Sequence, residues 1–249
     1  MKHEYKIGNC LKLLLEVPDK SVDLILTDLP FGTTQAEWDK PIDLVKLWEQ
    51  YNRISKDNTA ILLFAQTPYD KILGCSNIKN LRYEWIWEKT QATGFFNAKK
   101  MPMKAHENIL VFYKNLPTYH PQKTTGHTPI HSYTKRIEVQ NKTEIYGKTK
   151  VEMSGGGETD RYPRSVQVFA SDKQTNYIHP TQKPLALIEY FIKTYSNEGD
   201  IVHDSCMGSG VTMEACMNLN RNFVGFELLN KWEWNYKKIL SSKETLEMF

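Results

Sequence analysis

The chain has 249 residues, a formal net charge of +3 and 40% hydrophobic residues. This length suits one large α/β domain, alone or with an inserted lobe, and the hydrophobic content is enough for a sizeable core. The nearly balanced charge neither requires nor excludes a polyanionic partner. The first residues lack the apolar segment of a signal peptide, and no apolar run approaches the length of a membrane span. We therefore expect a cytoplasmic protein without a membrane partner.

The four cysteines are far apart in the sequence and form no Cys-x-x-Cys pair. This spacing predicts reduced thiols rather than a disulfide framework or a zinc site. No metal site is predicted.

The first half of the chain predicts alternating strands and helices around one organising stretch. This stretch is the apolar run 22–26, which continues into Thr27-Asp28-Leu29-Pro30-Phe31-Gly32 and indicates a buried strand that enters a loop. Asp28 can accept hydrogen bonds, Pro30 stiffens the backbone, and Phe31 offers a flat ring. Such a loop can bind a planar base by its amino group. The other elements predicted here are strands at 5–7, 60–65, 83–88 and 109–113, and helices at 10–15, 42–54 and 70–75.

The character of the sequence changes after residue 113. Residues 114–150 contain seven Lys or Arg and two acidic residues, a local excess of +5, with histidines and tyrosines between them. We interpret 114–175 as an insertion outside the main core. Interleaved basic and aromatic residues suit a nucleic acid, whereas a solvated polar extension is the alternative explanation. The candidate DNA contacts are Lys123, Lys135, Arg136, Arg161 and Arg164.

The last third predicts half of a doubly wound sheet. A helix is predicted at 185–195, a strand at 201–204, a glycine turn at 208–210 that leads into a helix at 211–218, a strand at 222–227 and a closing helix at 232–240. The glycines of the turn permit close approach of a ligand, but the phosphate-binding signature is missing. Glu227, at the end of the following strand, suits ribose hydroxyls. A ribose ligand without a phosphate cradle indicates S-adenosylmethionine, and a purely structural turn is the alternative.

On these residues the sequence resembles the DNA amino-methyltransferases, which methylate the exocyclic amino group of adenine or cytosine. Asp28-Leu29-Pro30-Phe31 is similar to the family's catalytic Asp-Pro-Pro-Tyr motif. Residues 204–212 resemble its cofactor motif, and His179-Pro180-Thr181-Gln182-Lys183-Pro184 matches a further motif. The catalytic motif precedes the cofactor motif, as in the β group of the family. The resemblance covers about residues 3–115 and 176–240.

The resemblance implies a fold, a domain division and a set of site residues. The fold is an α/β, doubly wound, mostly parallel, seven-stranded Rossmann-like methyltransferase sheet with helices on both faces. Residues 1–113 and 176–249 form the catalytic and cofactor domain, and 114–175 form an inserted target-recognition region. The implied catalytic residues are Asp28, Leu29, Pro30 and Phe31. The implied residues for S-adenosylmethionine are Asn9, Cys10, Asp28, His179, Thr181, Lys183, Asp204, Ser205, Met207, Gly208, Ser209, Gly210, Thr212 and Glu227.

Four positions depart from the family pattern. Leu29 replaces a proline, Phe31 replaces a tyrosine, Met207 replaces an aromatic residue, and Asn9 stands where an acid is frequent. None of these changes removes an indispensable atom, and the Asn9 carbonyl can still accept a hydrogen bond from the adenine amino group.

The implied reaction is methyl transfer from S-adenosylmethionine to the N6 amino group of adenine at a specific sequence in double-stranded DNA, by base flipping and direct in-line transfer. Cytosine N4 methylation is the nearest alternative, because cytosine enzymes more often have Ser at the position of Asp28. Methylation of RNA or of protein glutamine, and a non-catalytic nucleic-acid-binding role, stay open. A homodimer and a cognate restriction endonuclease are further expected partners.

Overall fold

The computed structural model describes residues 1–129, 157–172 and 178–244. The chain divides into a larger unit, Met1–His120 with Arg164–Phe249, and a smaller unit, Pro121–Pro163. Among the described residues, no helix combines the length and the apolarity that a membrane crossing requires. The same part of the chain contains no cluster of three or more His, Cys, Asp or Glu side chains suited to a metal ion.

The larger unit is built on one sheet. Within the described residues, eight strands form it in the order β1-β8-β7-β2-β3-β5-β4-β6. The strands are β1 His3–Ile7, β2 Val22–Asp28, β3 Ser55–Ala65, β4 Leu81–Thr93, β5 Lys104–Phe112, β6 Val166–Phe169, β7 Ile201–Asp204 and β8 Asn222–Glu227. The helices are α1 Cys10–Leu13, α2 Leu44–Ile54, α3 Tyr69–Ser76, α4 Leu185–Tyr195, α5 Val211–Asn218 and α6 Glu233–Glu244.

Most neighbouring strands run parallel. The pairs β1–β8, β8–β7, β7–β2, β2–β3 and β4–β6 are parallel, whereas β5 is antiparallel to both of its neighbours. Among the described strands, β5 is therefore antiparallel to the other seven. As a result, the amino end of β5 lies at the same edge of the sheet as the carboxyl ends of the others.

Helices cover both faces of the sheet and explain the apolar run in β2. Leu24 and Leu26 pack on one side with residues of α4, α5 and α6, and Val22 and Ile25 pack on the other with residues of α1, α2 and α3. A strand that is buried on both faces has no polar alternation. The predicted doubly wound α/β fold with a mostly parallel sheet is therefore confirmed.

The strand count and the boundaries of the insertion differ from the expectation. The sheet has eight strands rather than seven, because β6 pairs with β4 from Ile86↔Val166 to Lys89↔Phe169. The predicted insertion 114–175 is thus wider than the smaller unit 121–163. Pairing at a sheet edge leaves Val166 and Val168 exposed, so no apolar run marks this strand in the sequence. Likewise, β4 and β5 extend past the predicted 83–88 and 109–113 as a polar hairpin.

Candidate active site

The two loops that the sequence singled out meet in one cavity. The cavity measures about 790 Å³ and is lined by Asp28, Leu29, Pro30 and Phe31 together with residues 207–209 of the glycine turn. They meet because β2 and β7 are neighbours, with Ile25 paired to His203, so the carboxyl ends of both strands open at one edge. Ligands of open α/β sheets bind at this edge.

Asp28 ends β2 with one occupied and one free carboxylate oxygen. Oδ2 accepts a hydrogen bond of 2.5 Å from the Lys183 ammonium. Oδ1 is buried and has no hydrogen-bond partner among the described residues. Burial holds the pKa of the Asp28 carboxyl above its ordinary value, although the charge of Lys183 opposes this shift. This oxygen can therefore accept a hydrogen bond from a group that binds in the cavity.

Lys183 belongs to a chain of buried charges. Its Nζ lies 3.3 Å from Glu107 Oε2, and Glu107 Oε1 lies 2.6 Å from Lys89 Nζ. Burial alone would lower the pKa of Lys183, but the charges of Asp28 and Glu107 outweigh it and raise the pKa. Lys89 and Glu107 likewise line the cavity. Lys183, implied as a cofactor residue, thus contacts the implied catalytic carboxylate.

The loop after Asp28 is held in place without the usual first proline. Leu29 is only 2% exposed and packs into the core. The Phe31 ring stacks on Tyr69 with centroids 5.3 Å apart. The Asp39 carboxylate accepts hydrogen bonds of 2.7–2.9 Å from the backbone N–H groups of residues 32–34. Burial would raise the pKa of Asp39, but hydrogen bonds from the Thr34 side chain and from these N–H groups outweigh it and hold the pKa below its ordinary value. Packing and one buried carboxylate therefore supply the rigidity that Leu29 does not.

Glu227 and α6 hold the glycine turn. Glu227 Oε2 accepts a 2.8 Å hydrogen bond from the Gly208 N–H, and Oε1 accepts one from the Leu229 N–H. The Tyr236 hydroxyl donates to the Gly208 carbonyl, and the Asn235 amide donates to the Ser209 carbonyl. With the Ser209 carbonyl thus occupied, the Ser209 hydroxyl is the free group. Its oxygen is buried, lines the cavity wall and has no hydrogen-bond partner among the described residues.

Three of the implied cofactor residues, Asp204, Ser205 and Thr212, form hydrogen bonds beside the glycine turn. Asp204 accepts hydrogen bonds from the Cys206 N–H and from the Thr212 hydroxyl, which occupies both carboxylate oxygens. Burial raises the pKa of Asp204 to about 7. Ser205 accepts a hydrogen bond from the Tyr51 hydroxyl and donates its N–H to Thr27. These contacts favour a structural role for all three side chains.

Asn9, Cys10 and Met207, which the resemblance implies as cofactor residues, line the cavity. Asn9 Oδ1 caps α1 by accepting hydrogen bonds from the N–H groups of Leu11 and Lys12 at 3.0 and 3.4 Å. The expected acceptor role of Asn9 toward an adenine amino group therefore competes with this cap. Met207 is 3% exposed and donates its N–H to the Phe226 carbonyl.

His179 supports the cavity wall rather than pointing a free nitrogen into it. Its Nδ1 lies 3.0 Å from the Thr181 hydroxyl oxygen, and its ring packs 4.2 Å from Trp232 and 5.3 Å from Trp38. The same ring lies 3.7 Å from the position that a Cβ of Gly208 would take. His179 therefore joins the two tryptophans of the wall to the glycine turn.

Comparison with known proteins assigns the chain to a family. Residues 22–238 match the family model described as DNA methylase, of the N6/N4 type. The chain belongs to the N6/N4 DNA methylase family.

Two curated relatives of this DNA methylase are similar over most of their length. The type II methyltransferase M.HpaI of Haemophilus parainfluenzae is 31% identical over 96% of this chain and 73% of the relative. The DNA adenine methyltransferase YhdJ of Escherichia coli (strain K12) is 27% identical over 90% of this chain and 78% of the relative.

Two solved structures share the fold of this DNA methylase. The M1.HpyAVI–SAM complex matches with a TM-score of 0.65 at 23% identity, over 96% of this chain and 99% of that one. The PvuII DNA methyltransferase, described as cytosine-N4-specific, matches with a TM-score of 0.66 at 15% identity, over 97% and 91% of the two chains.

The basic residues expected to contact DNA lie in different environments. In the smaller unit of this DNA methylase, Lys123 Nζ lies 2.7 Å from Asp160 Oδ2 and 4.5 Å from the centroid of the Tyr162 ring. The Arg161 guanidinium donates to backbone carbonyls, which favours a structural role for it. Arg164 is exposed in the larger unit. Lys135 and Arg136 lie outside the described residues.

Sequence reasoning missed Lys89, Glu107 and Asp39 in this DNA methylase. None of them lies in a motif. Glu107 reaches the site because β5 runs antiparallel, which brings an early residue of that strand to the ligand edge. The available signal was a set of charged residues, Lys89 and Glu107, at the edges of predicted apolar strands.

Proposed function

We propose that this chain transfers the methyl group of S-adenosylmethionine to the N6 amino group of adenine at a specific sequence in duplex DNA. The observation that carries the proposal is the free Oδ1 of Asp28, which is buried at a cavity shared with the glycine turn. An exocyclic amino group has two hydrogens to donate, and this oxygen can accept one of them. The Leu29 carbonyl accepts the other.

The residues at the second loop fit S-adenosylmethionine. The backbone at Gly208 is closely approachable, the Ser209 hydroxyl oxygen is buried without a partner, and Glu227 lines the same wall. Glu227 and the glycine turn would hold the ribose and the amino acid portion, and Asn9, Cys10 and Met207 would flank the adenine. When bound, this cofactor supplies an electrophilic methyl group on its sulfonium. M1.HpyAVI, whose solved structure is a complex with SAM, shares the fold.

The residues of the chain act mainly by positioning. The target base leaves the duplex because its amino group is otherwise paired and stacked. Asp28 Oδ1 and the Leu29 carbonyl then accept hydrogen bonds from the two amino hydrogens. These hydrogen bonds orient the nitrogen lone pair toward the glycine turn. Phe31 stacks on the base, and the charge of Lys183 favours the ionised form of Asp28. Holding both reactants in line accounts for much of the acceleration.

Adenine is favoured over cytosine by the carboxylate at position 28 and by the similarity to a relative named as a DNA adenine methyltransferase. The likeness to a structure named as cytosine-N4-specific keeps cytosine as the second candidate. The curated relative named as a type II methyltransferase supports a role beside a restriction endonuclease. Recognition of the duplex target sequence would involve Lys123 of the smaller unit and the exposed Arg164 of the larger unit.

The decisive experiment uses labelled S-adenosylmethionine and bacterial genomic DNA, followed by digestion to nucleosides. We expect the label in N6-methyl-2′-deoxyadenosine. Label in N4-methyl-2′-deoxycytidine would instead support the cytosine alternative, and the absence of any labelled nucleoside would refute both functions. Asp28→Ala should abolish transfer while calorimetry still detects cofactor binding. Asp57→Ala is a matched control, because that carboxylate is 70% exposed and pairs only with Lys20 at the surface among the ion pairs of the described residues. Full activity of Asp28→Ala would remove Asp28 from the mechanism.

A further inference from the structure

The hairpin between β4 and β5 carries the most exposed aromatic ring among the described residues. We name residues 94–103, Gly-Phe-Phe-Asn-Ala-Lys-Lys-Met-Pro-Met, the aromatic loop. Phe96 is 100% exposed, Phe95 is 74% exposed and Met101 is 53% exposed. Isolated exposed apolar residues are ordinary, but a cluster of them marks an interaction site. The aromatic loop therefore needs a partner that covers it.

The aromatic loop has a defined backbone. The N–H of Asn97 donates to the Gly94 carbonyl, that of Ala98 donates to the Phe95 carbonyl, and the N–H groups of Lys100 and Met101 donate to the Asn97 carbonyl. Gly94 enters the turn with φ of +90°, a conformation that favours glycine. These local hydrogen bonds hold the loop in shape, so the two rings are presented to solvent by an ordered turn.

The position of the aromatic loop connects it to the candidate active site. Thr93, Gly94, Asn97 and Lys104 line the same cavity as Asp28. Phe95 and Phe96 lie between Gly94 and Asn97 in the chain, so the exposed rings belong to the same loop as these lining residues. The aromatic loop thus contributes residues to the cavity in which the proposed function places the target base, which makes DNA the partner to consider for its rings.

The charge around the rings identifies the kind of partner. Residues 94–104 contain three lysines, at positions 99, 100 and 104, and no acid. All three lysines are exposed. Cations attract phosphates, and aromatic rings stack on bases or wedge between base pairs. An apolar protein surface would match the rings but not the charges.

We infer that Phe96 inserts into the duplex at the gap left by the extruded target base, and that Lys99 and Lys100 contact the flanking phosphates. The inference rests on the proposed function. The ring replaces the stacking that the neighbouring base pairs lose, so it stabilises the open duplex. Phe96 is a positioning residue, because it touches DNA beside the target base and not the reacting atoms.

The test compares Phe96→Ala with wild type and with Ile78→Ala. Ile78 is 66% exposed and does not line the cavity, so its truncation is a matched loss of exposed apolar surface. The first substrate is a synthetic duplex with the sequence that wild type methylates in genomic DNA. The second is the same duplex with an abasic site opposite the target base, where extrusion requires less work. We expect Phe96→Ala to lose about 10–100-fold in kcat/KM on the first duplex.

Three further readouts separate a wedge from a structural role. On the abasic duplex, Phe96→Ala should recover most of its activity. Phe96→Trp should stay near wild type on both duplexes, and 2-aminopurine at the target position should fluoresce less with Phe96→Ala than with wild type. Cofactor affinity and the unfolding midpoint should not change, since the ring is fully exposed.

The outcomes also separate this inference from the proposed function. If wild type methylates DNA and Phe96→Ala matches it on the paired duplex, the wedge is wrong and the methyltransferase assignment stands. An equal loss on both duplexes likewise overturns the wedge. If wild type methylates no DNA, the proposed function fails and this inference fails with it.

Discussion

Replacing Lys183 by methionine perturbs the buried charges of the site most directly. Methionine keeps the length of the apolar stem and removes the ammonium. Lys183 Nζ lies 2.5 Å from Asp28 Oδ2 and 3.3 Å from Glu107 Oε2, and the lysine side chain is 7% exposed. In the variant, Lys89 still pairs with Glu107 at 2.6 Å, whereas Asp28 loses its cation.

The magnitude follows from the balance of four charges, two carboxylates and two ammonium groups. Lys183→Met leaves this group at −1, Glu107→Gln leaves it at +1, and the double variant restores zero. Breaking one side of a buried ion pair costs about 3–5 kcal/mol. Because the Asp28 side chain is 23% exposed, we expect the lower end, about 3 kcal/mol, for Lys183→Met. The double variant should be more stable than the sum of the single losses predicts, by about 1 kcal/mol or more.

Urea unfolding of wild type, both single variants and the double variant measures this coupling. Lys193→Met is the matched control, because Lys193 is 45% exposed and lies 3.7 Å from Glu189. An exposed pair of this kind contributes about 0–1 kcal/mol. The electrostatic account is refuted if Lys183→Met is as stable as the control, or if the losses in the double variant simply add.

The pH dependence of methyl transfer gives the same residue a second test. Asp28 accepts hydrogen bonds best when it is ionised, so activity falls as the pH drops through its pKa. Burial holds that pKa above the ordinary value, and the charge of Lys183 opposes the shift. Without the ammonium the pKa of Asp28 rises further. Lys183→Met should therefore shift the acid limb of the pH–activity profile to higher pH, and an unchanged acid limb would contradict this role.

Two further predictions concern the loops. Asp39→Ala removes a carboxylate that accepts three backbone hydrogen bonds, so we expect a loss of about 1.5–3 kcal/mol in urea unfolding and faster hydrogen exchange at residues 32–34; unchanged exchange would count against the clamp. Gly210→Ala places a Cβ 2.8 Å from the Tyr236 ring at φ of +84°, whereas Gly199→Ala has φ of +83° and open space. Calorimetry should show weaker cofactor binding for Gly210→Ala than for Gly199→Ala. If both variants bind the cofactor equally well, the clash with Tyr236 does not weaken binding.

Much of the fold could be predicted because its signals are local. The apolar run of β2 and the glycine turn before α5 each mark a strand that ends at the ligand edge, and parallel pairing then brings the two loops together. The bounds of α4 and α5 also follow from their flanking Pro184 and Gly210. These features depend on neighbouring residues in the chain.

The remaining features depend on pairing between distant segments. β6 is exposed on alternate residues and pairs with the edge of β4, and its four residues, Val-Gln-Val-Phe, are too short a segment to predict a strand without that partner. Glu107 reaches Lys183 beside Asp28 only because β5 reverses direction in the sheet, and Lys89 pairs with Glu107 from the neighbouring strand β4. The cap that Asn9 forms on α1 depends on local backbone geometry that competes with its implied ligand role.

The pairing of β1 with β8 has a consequence for how the protein folds. His3 to Ile7 align with Phe223 to Glu227, and the Gly8 N–H donates to the Glu227 carbonyl. More than two hundred residues of the chain therefore separate these two paired strands, the longest loop closure between neighbours among the described strands of the sheet. Among the described strands β8 is the neighbour of β1, so we expect this rim of the sheet to stay incomplete during synthesis until β8 has left the ribosome. Because contacts of such separation form slowly, we expect this rim to assemble late in refolding.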